Sequence, residues 1–283
     1  MFPLLLTIIM GGIIVIYFAI IPKIKEARMQ KKLEKWNHTK KDVVTMHAIP
    51  RGGAVSHSSP FVVKLETWMR MAKIPYETDL TLADAHGPKG RFPWISLNGQ
   101  HLGDSHLIID FLKKKFNIQL GDEYSKEQLA IGATIRIMMD DHFFWGIALY
   151  RYVYGSFSSL RQVMGKFVPA WRTWLLRLYM GTQFSTRSKG HGIGLHSWKE
   201  IEQLTLQDLK LLSELLGNKK YILGDTPCEY DASVFGHLVQ VMWGSPGSIY
   251  QEAVEKDLKN LKYYTIRIKE TFYPDWDKLL EEE

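Results

Sequence analysis

Two short segments of the sequence place small polar side chains where a helix is predicted to begin. Ser59 stands directly before Pro60, a favoured first helical residue, and Asp104-Ser105 stands directly before an apolar helical run. A serine at a helix N-terminus, where N–H groups are free and the helix dipole is positive, suits a carboxylate ligand, and a neighbouring aspartate suits an ammonium. Helix capping alone would select the same residue types, so both interpretations stay open.

Other groups that could carry chemistry are few. Cys228 is the one cysteine, which excludes an intrachain disulfide and a thiolate metal cluster within one chain, and it fits a reducing compartment. The histidine pairs His101/His106 and His191/His196 are scattered as surface residues usually are, so no metal site is predicted.

The elements that would position these residues begin near Val43. A β-branched run from Val43 to Ile49 predicts a buried strand, and apolar residues at helical spacing from Phe61 to Ala72 predict a helix. A second strand is predicted from Tyr76 to Leu80, and Asn98-Gly99 predicts the turn of a hairpin. With the helix after Ser105, the order β-α-β-β-β-α indicates an α/β domain of about 75 residues.

The chain is predicted to be helical from Glu127 onward. A clear amphipathic helix runs from Trp198 to Leu216 and ends at Gly217. The aromatic and basic stretch from Ser156 to Tyr179 is too charged for a membrane span. It could cover a hydrophobic groove or touch a membrane, and packing in the core is the favoured interpretation.

The first residues are predicted to form a membrane anchor. Leu4 to Ile21 is uncharged and just long enough to cross a hydrocarbon core, and no cleavage site for a signal peptide follows it. Basic residues come directly after the apolar run, which places the large C-terminal part in the cytosol by the positive-inside rule. These side chains could lie on anionic headgroups or belong to a solvated helix. They are Lys23, Lys25, Arg28, Lys31, Lys32, Lys35, Lys40 and Lys41.

The net charge of +6 comes almost entirely from that basic run. The remaining chain is close to neutral, and 46% apolar with 23% charged residues is the composition of a globular protein. Nucleic-acid binding needs a basic face on a folded domain and is not predicted.

The segment from Phe92 to Leu112, FPWISLNGQHLGDSHLIIDFL, resembles the second half of the thioredoxin-like domain of glutathione transferases. The resemblance implies that Pro93 is a cis proline and that the backbone of Phe92 pairs with the cysteinyl backbone of glutathione. It also implies that Ser105 binds the γ-glutamyl carboxylate and Asp104 the ammonium. Glutathione is thus the expected substrate or ligand.

The same resemblance gives Ser59 a role. Thioredoxin-like redox proteins open their first helix with C-x-x-C, where this chain has Ser59-Pro60-Phe61-Val62. Disulfide exchange there is excluded because the attacking thiolate is missing. Some transferases activate glutathione with a hydroxyl that lowers the pKa of its thiol, which makes Ser59 the candidate catalytic residue. Helix capping is again the alternative.

Two further pairs are placed by resemblance to the transferase helical domain. Asp141 and His142, in DDHFFW, fall where transferases line the cleft for the second substrate; a surface capping or salt-bridge role is the alternative. Cys228 and Asp231 occupy the Ser/Thr and Asp places of the capping box that begins a core helix. A thiol accepts a hydrogen bond weakly, so this cap is expected to be weak.

Motifs spread from Val43 to Leu280 resemble the failed-axon-connections family, and especially its nematode cadmium-responsive branch, whose members carry an N-terminal hydrophobic segment. The metaxins are more distant relatives. The motifs are SPFVVKLETWMRMAKIPYE, NGQHLGDSHLIIDFL, DDHFFW, GIGLHSWKEIEQLTLQDL and LGDTPCEYDASVFGHL. The resemblance implies a transferase-like fold and an association with cadmium stress and the lysosomal membrane, and it leaves catalytic activity open.

The predicted fold is therefore a thioredoxin-like N-terminal domain followed by a helical glutathione-transferase C-terminal-like domain, preceded by one transmembrane helix. The predicted boundaries are 1–22 for the anchor, 23–41 for the basic segment, 42–117 for the first domain and 118–283 for the second. The predicted function is a single-pass, membrane-anchored, glutathione-transferase-like protein that acts in cadmium or other toxic stress through glutathione. The alternative is a non-catalytic adaptor of metaxin-like type, which would hold a protein partner or form a homodimer.

Overall fold

The computed structural model of the protein describes residues 16–51, 53–165 and 168–281. The strands in these ranges are β1 (Val44–His47), β2 (Tyr76–Asp79), β3 (Trp94–Leu97) and β4 (Gln100–Gly103). The helices are α1 (Ile21–Glu34), α2 (Pro60–Met71), α3 (Ser105–Lys115), α4 (Lys126–Ile137), α5 (Phe144–Leu149), α6 (Phe157–Met164), α7 (Ala170–His191), α8 (Trp198–Leu216), α9 (Glu229–Met242), α10 (Ile249–Lys256), α11 (Lys259–Phe272) and α12 (Trp276–Glu281). Short π-helical turns lie at Ile16–Ile20, Met138–Phe143 and Tyr150–Tyr154, and a 3-10 turn lies at Ile193–Leu195.

These elements form two compact units. The first holds the described residues up to Ala48 together with Pro75–Asp104, and the second holds Ile49–Ile74 and the described residues from Ser105 onward. Packing thus groups α2 and α3 with the helices rather than with the sheet. The domain boundaries at residues 22, 41 and 117 stay predictions, because compact units follow packing and not order along the chain.

The first unit is built on a sheet with the strand order β2-β1-β3-β4. β1 pairs in parallel with β2 and antiparallel with β3, and both central strands are buried throughout. The turn between β3 and β4 is Asn98-Gly99, with φ of 48° and 76°, as a two-residue hairpin turn requires. Elements follow the predicted order β-α-β-β-β-α, and that part of the fold prediction is confirmed.

Part of the basic run after the apolar N-terminus is engaged within the first unit. Lys32 donates hydrogen bonds to the carbonyl oxygens of Ala83 and His86, at 3.1 and 2.7 Å. Lys35, which follows α1, pairs with the Asp84 carboxylate at 2.5 Å. These two lysines therefore have partners within the folded chain and are not only solvated.

The second unit is centred on α9, in which every residue after Glu229 is buried. α2 lies against it and comes close at Gly236, where an added β-carbon would stand 2.5 Å from the carbonyl oxygen of Pro60. Only glycine permits this approach, so position 236 sets the distance between α9 and the first turn of α2.

α7 is exposed along most of its length. Its buried residues are Thr173 and Ser188, whereas five large side chains have exposed fractions of 49–64%. These five are Trp171, Trp174, Leu175, Leu178 and Tyr179. The expectation that the aromatic stretch packs in the core is therefore wrong for α7. Apolar side-chain type favoured burial, but the described residues leave this face uncovered.

The predicted anchor at residues 1–22 lies mostly outside the described residues, which begin at 16. Within the described ranges, no helix combines the length and the apolar character that crossing a bilayer requires. The transmembrane helix stays a prediction.

Candidate functional site

Ser59 occupies the N-cap of α2. Its backbone is extended (φ −102°, ψ 122°), Pro60 is the first helical residue, and the Ser59 carbonyl accepts a hydrogen bond from the Val63 N–H at 3.2 Å. The Ser59 hydroxyl makes no hydrogen bond to the first turn, and the residue is only 8% exposed. The position therefore has the geometry of a cap, while the hydroxyl is not used as one.

Two buried side chains fix the backbone that leads into α2. Arg151 donates to the carbonyl oxygen of Ser58 at 2.6 Å, and Gln240 donates to that of His57 at 2.9 Å. Arg151 also donates to the Gly244 carbonyl and to the side chain of Gln240, so the two residues support each other. Neither was predicted. The one signal is that Arg151 interrupts an apolar and aromatic run, where a buried charge must find partners.

A buried charge cluster includes the same loop. Glu66 is fully buried and pairs with Arg51 (Nη1–Oε2 3.4 Å) and with Arg70 (Nη2–Oε1 3.2 Å). Arg51 Nη1 also donates to His57 Nε2 at 3.0 Å, which makes that ring nitrogen an acceptor. Burial lowers the pKa of His57 to about 4, against the opposing charge of Glu66, so its imidazole is neutral at neutral pH.

A second ion pair links α2 to the helices of its own unit. Lys64 Nζ lies 2.5 Å from Asp140 Oδ2, and the Ser233 hydroxyl donates to Asp140 Oδ1 at 2.7 Å. Burial would raise the pKa of Asp140, but the Lys64 charge and the hydrogen bonds outweigh it and leave that pKa lowered. The Asp140 carboxylate is therefore ionised at neutral pH, and its contact with Lys64 holds α2 to the turn that carries Asp140.

The predicted cleft residues Asp141 and His142 follow Asp140 in that π-helical turn. Asp141 is exposed, while His142 Nδ1 lies 2.6 Å from Asp208 Oδ2 on α8. Burial raises the pKa of Asp208, against the hydrogen bond from His142. The two predicted residues therefore lie in different environments, and the largely buried carboxylate of the DDH run is that of Asp140.

The residues assigned to glutathione binding by resemblance lie at two points of the chain. The peptide bond between Phe92 and Pro93 is cis and leads directly into β3. Asp104 is exposed with a φ of 86°, and Ser105, the first residue of α3, is buried. Phe92, Pro93 and Asp104 belong to the first unit, whereas Ser105 and Ser59 belong to the second.

Asp231 closes the start of α9. Its Oδ2 accepts the Cys228 N–H at 2.8 Å and the Cys228 thiol at 3.1 Å. Its Oδ1 accepts the Ile222 N–H at 2.8 Å and the Tyr264 hydroxyl at 2.7 Å. Burial, followed by the nearby Asp231 charge, raises the pKa of the Cys228 thiol, which stays protonated. The thiol therefore acts as a donor to Asp231, and the carboxylate makes the main capping contacts.

One polar chain in the first unit was not predicted. His47 joins Asp79 (Nδ1–Oδ2 2.8 Å) to Ser96 (Nε2–Oγ 2.9 Å), and Ser96 continues to His101 (Oγ–Nδ1 2.9 Å). Asp, His and Ser in this order have the connectivity of a hydrolase triad. Ser96 is fully buried, however, and the His47 ring stacks on Trp94 with centroids 3.6 Å apart. A substrate cannot reach this hydroxyl, and the chain instead ties β1, β2 and β3 together.

The remaining histidines have scattered partners. His106 Nε2 lies 3.8 Å from Asp110, and His196 Nδ1 lies 4.0 Å from Glu200. Across the part of the chain that the structure describes, no group of three or more His, Cys, Asp or Glu side chains could hold a metal ion.

Two family models match the chain. The model of the glutathione S-transferase N-terminal domain matches residues 60–157, and that of the glutathione S-transferase C-terminal domain matches residues 205–268. The prediction of a thioredoxin-like domain followed by a helical transferase domain is thereby confirmed.

Three curated proteins are similar to this chain, and one of them is a glutathione S-transferase. Failed axon connections of Drosophila melanogaster is 30% identical over 84% of this chain, which spans 60% of the length of that relative. Isoprene-epoxide–glutathione S-transferase of a Rhodococcus species is 25% identical over 69% of this chain and 85% of its own length. Metaxin-2 of Mus musculus is 22% identical over 76% of this chain and 82% of its own length.

Solved structures with the same fold include two bacterial proteins. The beta-etherase LigF from Sphingobium has a TM-score of 0.58 and 13% identity, over 84% of this chain and 98% of that one. A glutathione transferase family member from Pseudomonas fluorescens, solved with two glutathione molecules bound, has a TM-score of 0.54 and 14% identity, over 89% of this chain and 98% of that one. At this identity the likeness shows the fold alone.

Proposed function

We propose that this chain, which matches the models of both glutathione S-transferase domains and is similar to failed axon connections and metaxin-2, binds glutathione through the starts of α2 and α3. Bound glutathione would supply a thiolate, which can act as a nucleophile or as a ligand for a soft metal. The chain's own residues would bind, orient and polarise it.

The observation that carries this proposal is the Ser59 hydroxyl, which stands at the N-terminus of α2 and makes no capping hydrogen bond. A hydroxyl at the positive end of a helix dipole can donate to a thiolate and so lower the pKa of the thiol. Arg151 and Gln240 fix the backbone just before Ser59, so this position is defined by the protein alone.

The groups at the start of α3 suit the other end of glutathione. Ser105 is buried at the first helical residue, where the positive end of the helix dipole favours a carboxylate, and the exposed carboxylate of Asp104 has the charge that suits an ammonium. We assign the backbone of Phe92 to the cysteinyl backbone of the ligand, and Asp141 and His142 to the cleft for a second substrate.

The proposal also covers location and role. The uncharged run from Leu4 to Ile21 would anchor the protein by a single pass, with the folded part in the cytosol and, by resemblance, at the lysosomal membrane. A role in cadmium or other toxic stress would act through glutathione, because the single cysteine is buried and cannot serve as a metal ligand.

A second candidate function is that of a non-catalytic adaptor, which would hold a protein partner or a second copy at a membrane surface. Similarity to metaxin-2 over 76% of the chain favours it. The two candidates differ in one property, since the adaptor needs no affinity for glutathione.

Calorimetric titration of the full chain in mild detergent with glutathione tests the proposal. We expect binding at millimolar glutathione or below, and a loss of at least tenfold in affinity for Ser105→Ala, since a hydrogen bond to a charged group is worth about 1.5–3 kcal/mol. Ser248→Ala is the control, because Ser248 is also a buried serine at the start of a helix in the same unit and no ligand contact is proposed for it. Absence of binding in the wild-type chain would overturn the proposal and favour the adaptor.

A further inference from the structure

We propose that α7 docks the second unit on the surface of an anionic lipid bilayer. The docking surface, named here the α7 face, consists of Trp171, Trp174, Leu175, Leu178 and Tyr179. This inference is independent of glutathione binding and of the predicted N-terminal anchor.

The α7 face is a continuous apolar stripe. Its members follow the spacing i, i+3, i+4, i+7, i+8, which places them on one side of the helix. Thr173, from the opposite side, is fully buried, so α7 is held to its unit by one side and presents the apolar side to solvent. A stripe of this kind on an otherwise solvated helix marks an interaction surface.

The side-chain types of the stripe suit the interface between lipid and water. Tryptophan and tyrosine have an apolar ring and a polar group, and they are enriched at the depth of lipid headgroups. Arg172 lies beside them with its guanidinium carbon 5.2 Å from the centroid of the Trp171 ring. An arginine next to a tryptophan can pair with a lipid phosphate while the ring enters the acyl boundary.

Charge selects an anionic surface as the occupant. The sequence has no Asp or Glu from residue 142 to residue 199, and it has eight Lys or Arg there. Three of them, on α7 itself, have exposed side chains: Arg172, Arg187 and Lys189. Basic residues near a bilayer are attracted to phosphatidylserine and related lipids, whereas a neutral bilayer offers no such attraction.

A second copy of the chain is a poorer occupant. A symmetric dimer through the α7 face would bring the same patch of each copy together. The exposed basic residues of one copy would then face those of the other without acidic residues on α7 to pair with them.

The surface beside the stripe adds to the apolar area. A groove of about 410 Å³ lies along α7 and is lined by Tyr152, Phe157, Trp174 and Leu178 among others. Its apolar lining extends the stripe sideways, which widens the surface available to lipid.

The test places an environment-sensitive fluorophore on the α7 face of the full chain. Leu178→Cys provides the label site, since Cys228 is fully buried and would not react in the folded protein. Two vesicle preparations are compared, one of phosphatidylcholine and one in which about a third of the lipid is phosphatidylserine. We expect the label to be shielded from iodide and quenched by nitroxide lipids in the anionic vesicles, with at least a fivefold greater effect than in the neutral ones. The readout stays valid if the predicted N-terminal anchor attaches the chain to both kinds of vesicle. The label reports whether α7 itself touches lipid, and not whether the chain is bound.

Two controls keep the result specific. Tyr263→Cys places the same label on another exposed residue of the same unit, and it should stay accessible to iodide in both preparations. Arg172→Glu with Lys189→Glu changes only exposed side chains, so folding is retained, and it should abolish the difference between the preparations.

Three outcomes would overturn the proposal. The label at position 178 could stay open to iodide on anionic vesicles, or it could be shielded equally on neutral ones. Shielding that depends on protein concentration, without quenching by nitroxide lipid, would instead assign the α7 face to contact between copies.

Discussion

The starts of α2 and α9 are held in place by different kinds of hydrogen bond. The first turn of any helix leaves backbone N–H groups without partners, and each of these helices begins at a small polar residue, Ser59 or Cys228. At α9 the Asp231 carboxylate takes four hydrogen bonds and closes the start. At α2 the backbone is fixed from outside by Arg151 and Gln240, and the Ser59 hydroxyl makes no cap. A helix start can leave a side-chain hydroxyl uncommitted when other residues hold the backbone that leads into the helix.

The largest effect is expected from a substitution that disrupts the start of α9. Asp231→Ala removes the acceptor of two backbone N–H groups, a thiol and a tyrosine hydroxyl, and it leaves buried donors without partners. We expect a loss of about 3–5 kcal/mol in the free energy of unfolding, measured by urea denaturation of the full chain in mild detergent. Asp225→Ala, at an exposed aspartate in the loop before α9, should change it by less than about 0.5 kcal/mol. A loss of under about 1 kcal/mol for Asp231→Ala would contradict the comparison.

A smaller effect depends on pH and concerns the start of α2. His57 has a pKa lowered to about 4, so below pH 6.5 the unfolded chain binds a proton that the folded chain does not. Stability is then lost as the pH falls, by about 2 kcal/mol between neutral pH and pH 5. His47 and His237, whose pKa values are also lowered by burial, act in the same direction.

The contribution of His57 is isolated by His57→Gln, which cannot take up a proton. Urea denaturation at pH 5 and pH 7 should show a smaller difference in unfolding free energy for the variant than for the wild-type chain. An unchanged difference would mean that His57 is not held neutral by the fold.

The smallest effect is expected at the start of α2, where it tests whether the Ser59 hydroxyl caps the helix. Ser59→Ala should cost less than about 0.5 kcal/mol in unfolding free energy, because its hydroxyl does not cap α2. Ser125→Ala is the matched comparison, since the Ser125 hydroxyl accepts the Gln128 N–H in a complete capping box, and it should cost about 1 kcal/mol. Equal losses would show that Ser59 is an ordinary cap.

Local signals predicted the elements well. The β-branched run near Val44, the helical spacing after Pro60 and the Asn98-Gly99 turn each depend on neighbouring residues, and each element formed where expected. The order of these elements then limited the fold to few arrangements. For this reason the sheet and its hairpin could be predicted from one sequence.

The polar clusters could not be predicted, because they join residues distant in the chain. His47 meets Asp79 and Ser96 across separations of 32 and 49 residues, and only the strand register brings them together. In the DDH run, whether Asp140 or Asp141 is buried depends on the rotation of a π-helical turn. The α7 stripe has the composition of a core helix, and composition does not tell whether another element covers it.

The buried thiol of Cys228 has a consequence for oxidative conditions. The residue is fully inaccessible and protonated, so the folded chain offers no thiolate that could attack glutathione disulfide. S-glutathionylation of Cys228 in the native protein is therefore prevented, and oxidants that convert glutathione to its disulfide would change the proposed ligand without forming a mixed disulfide at Cys228. The protein would then respond to changes in the glutathione pool only through the fraction of its proposed binding site that glutathione occupies.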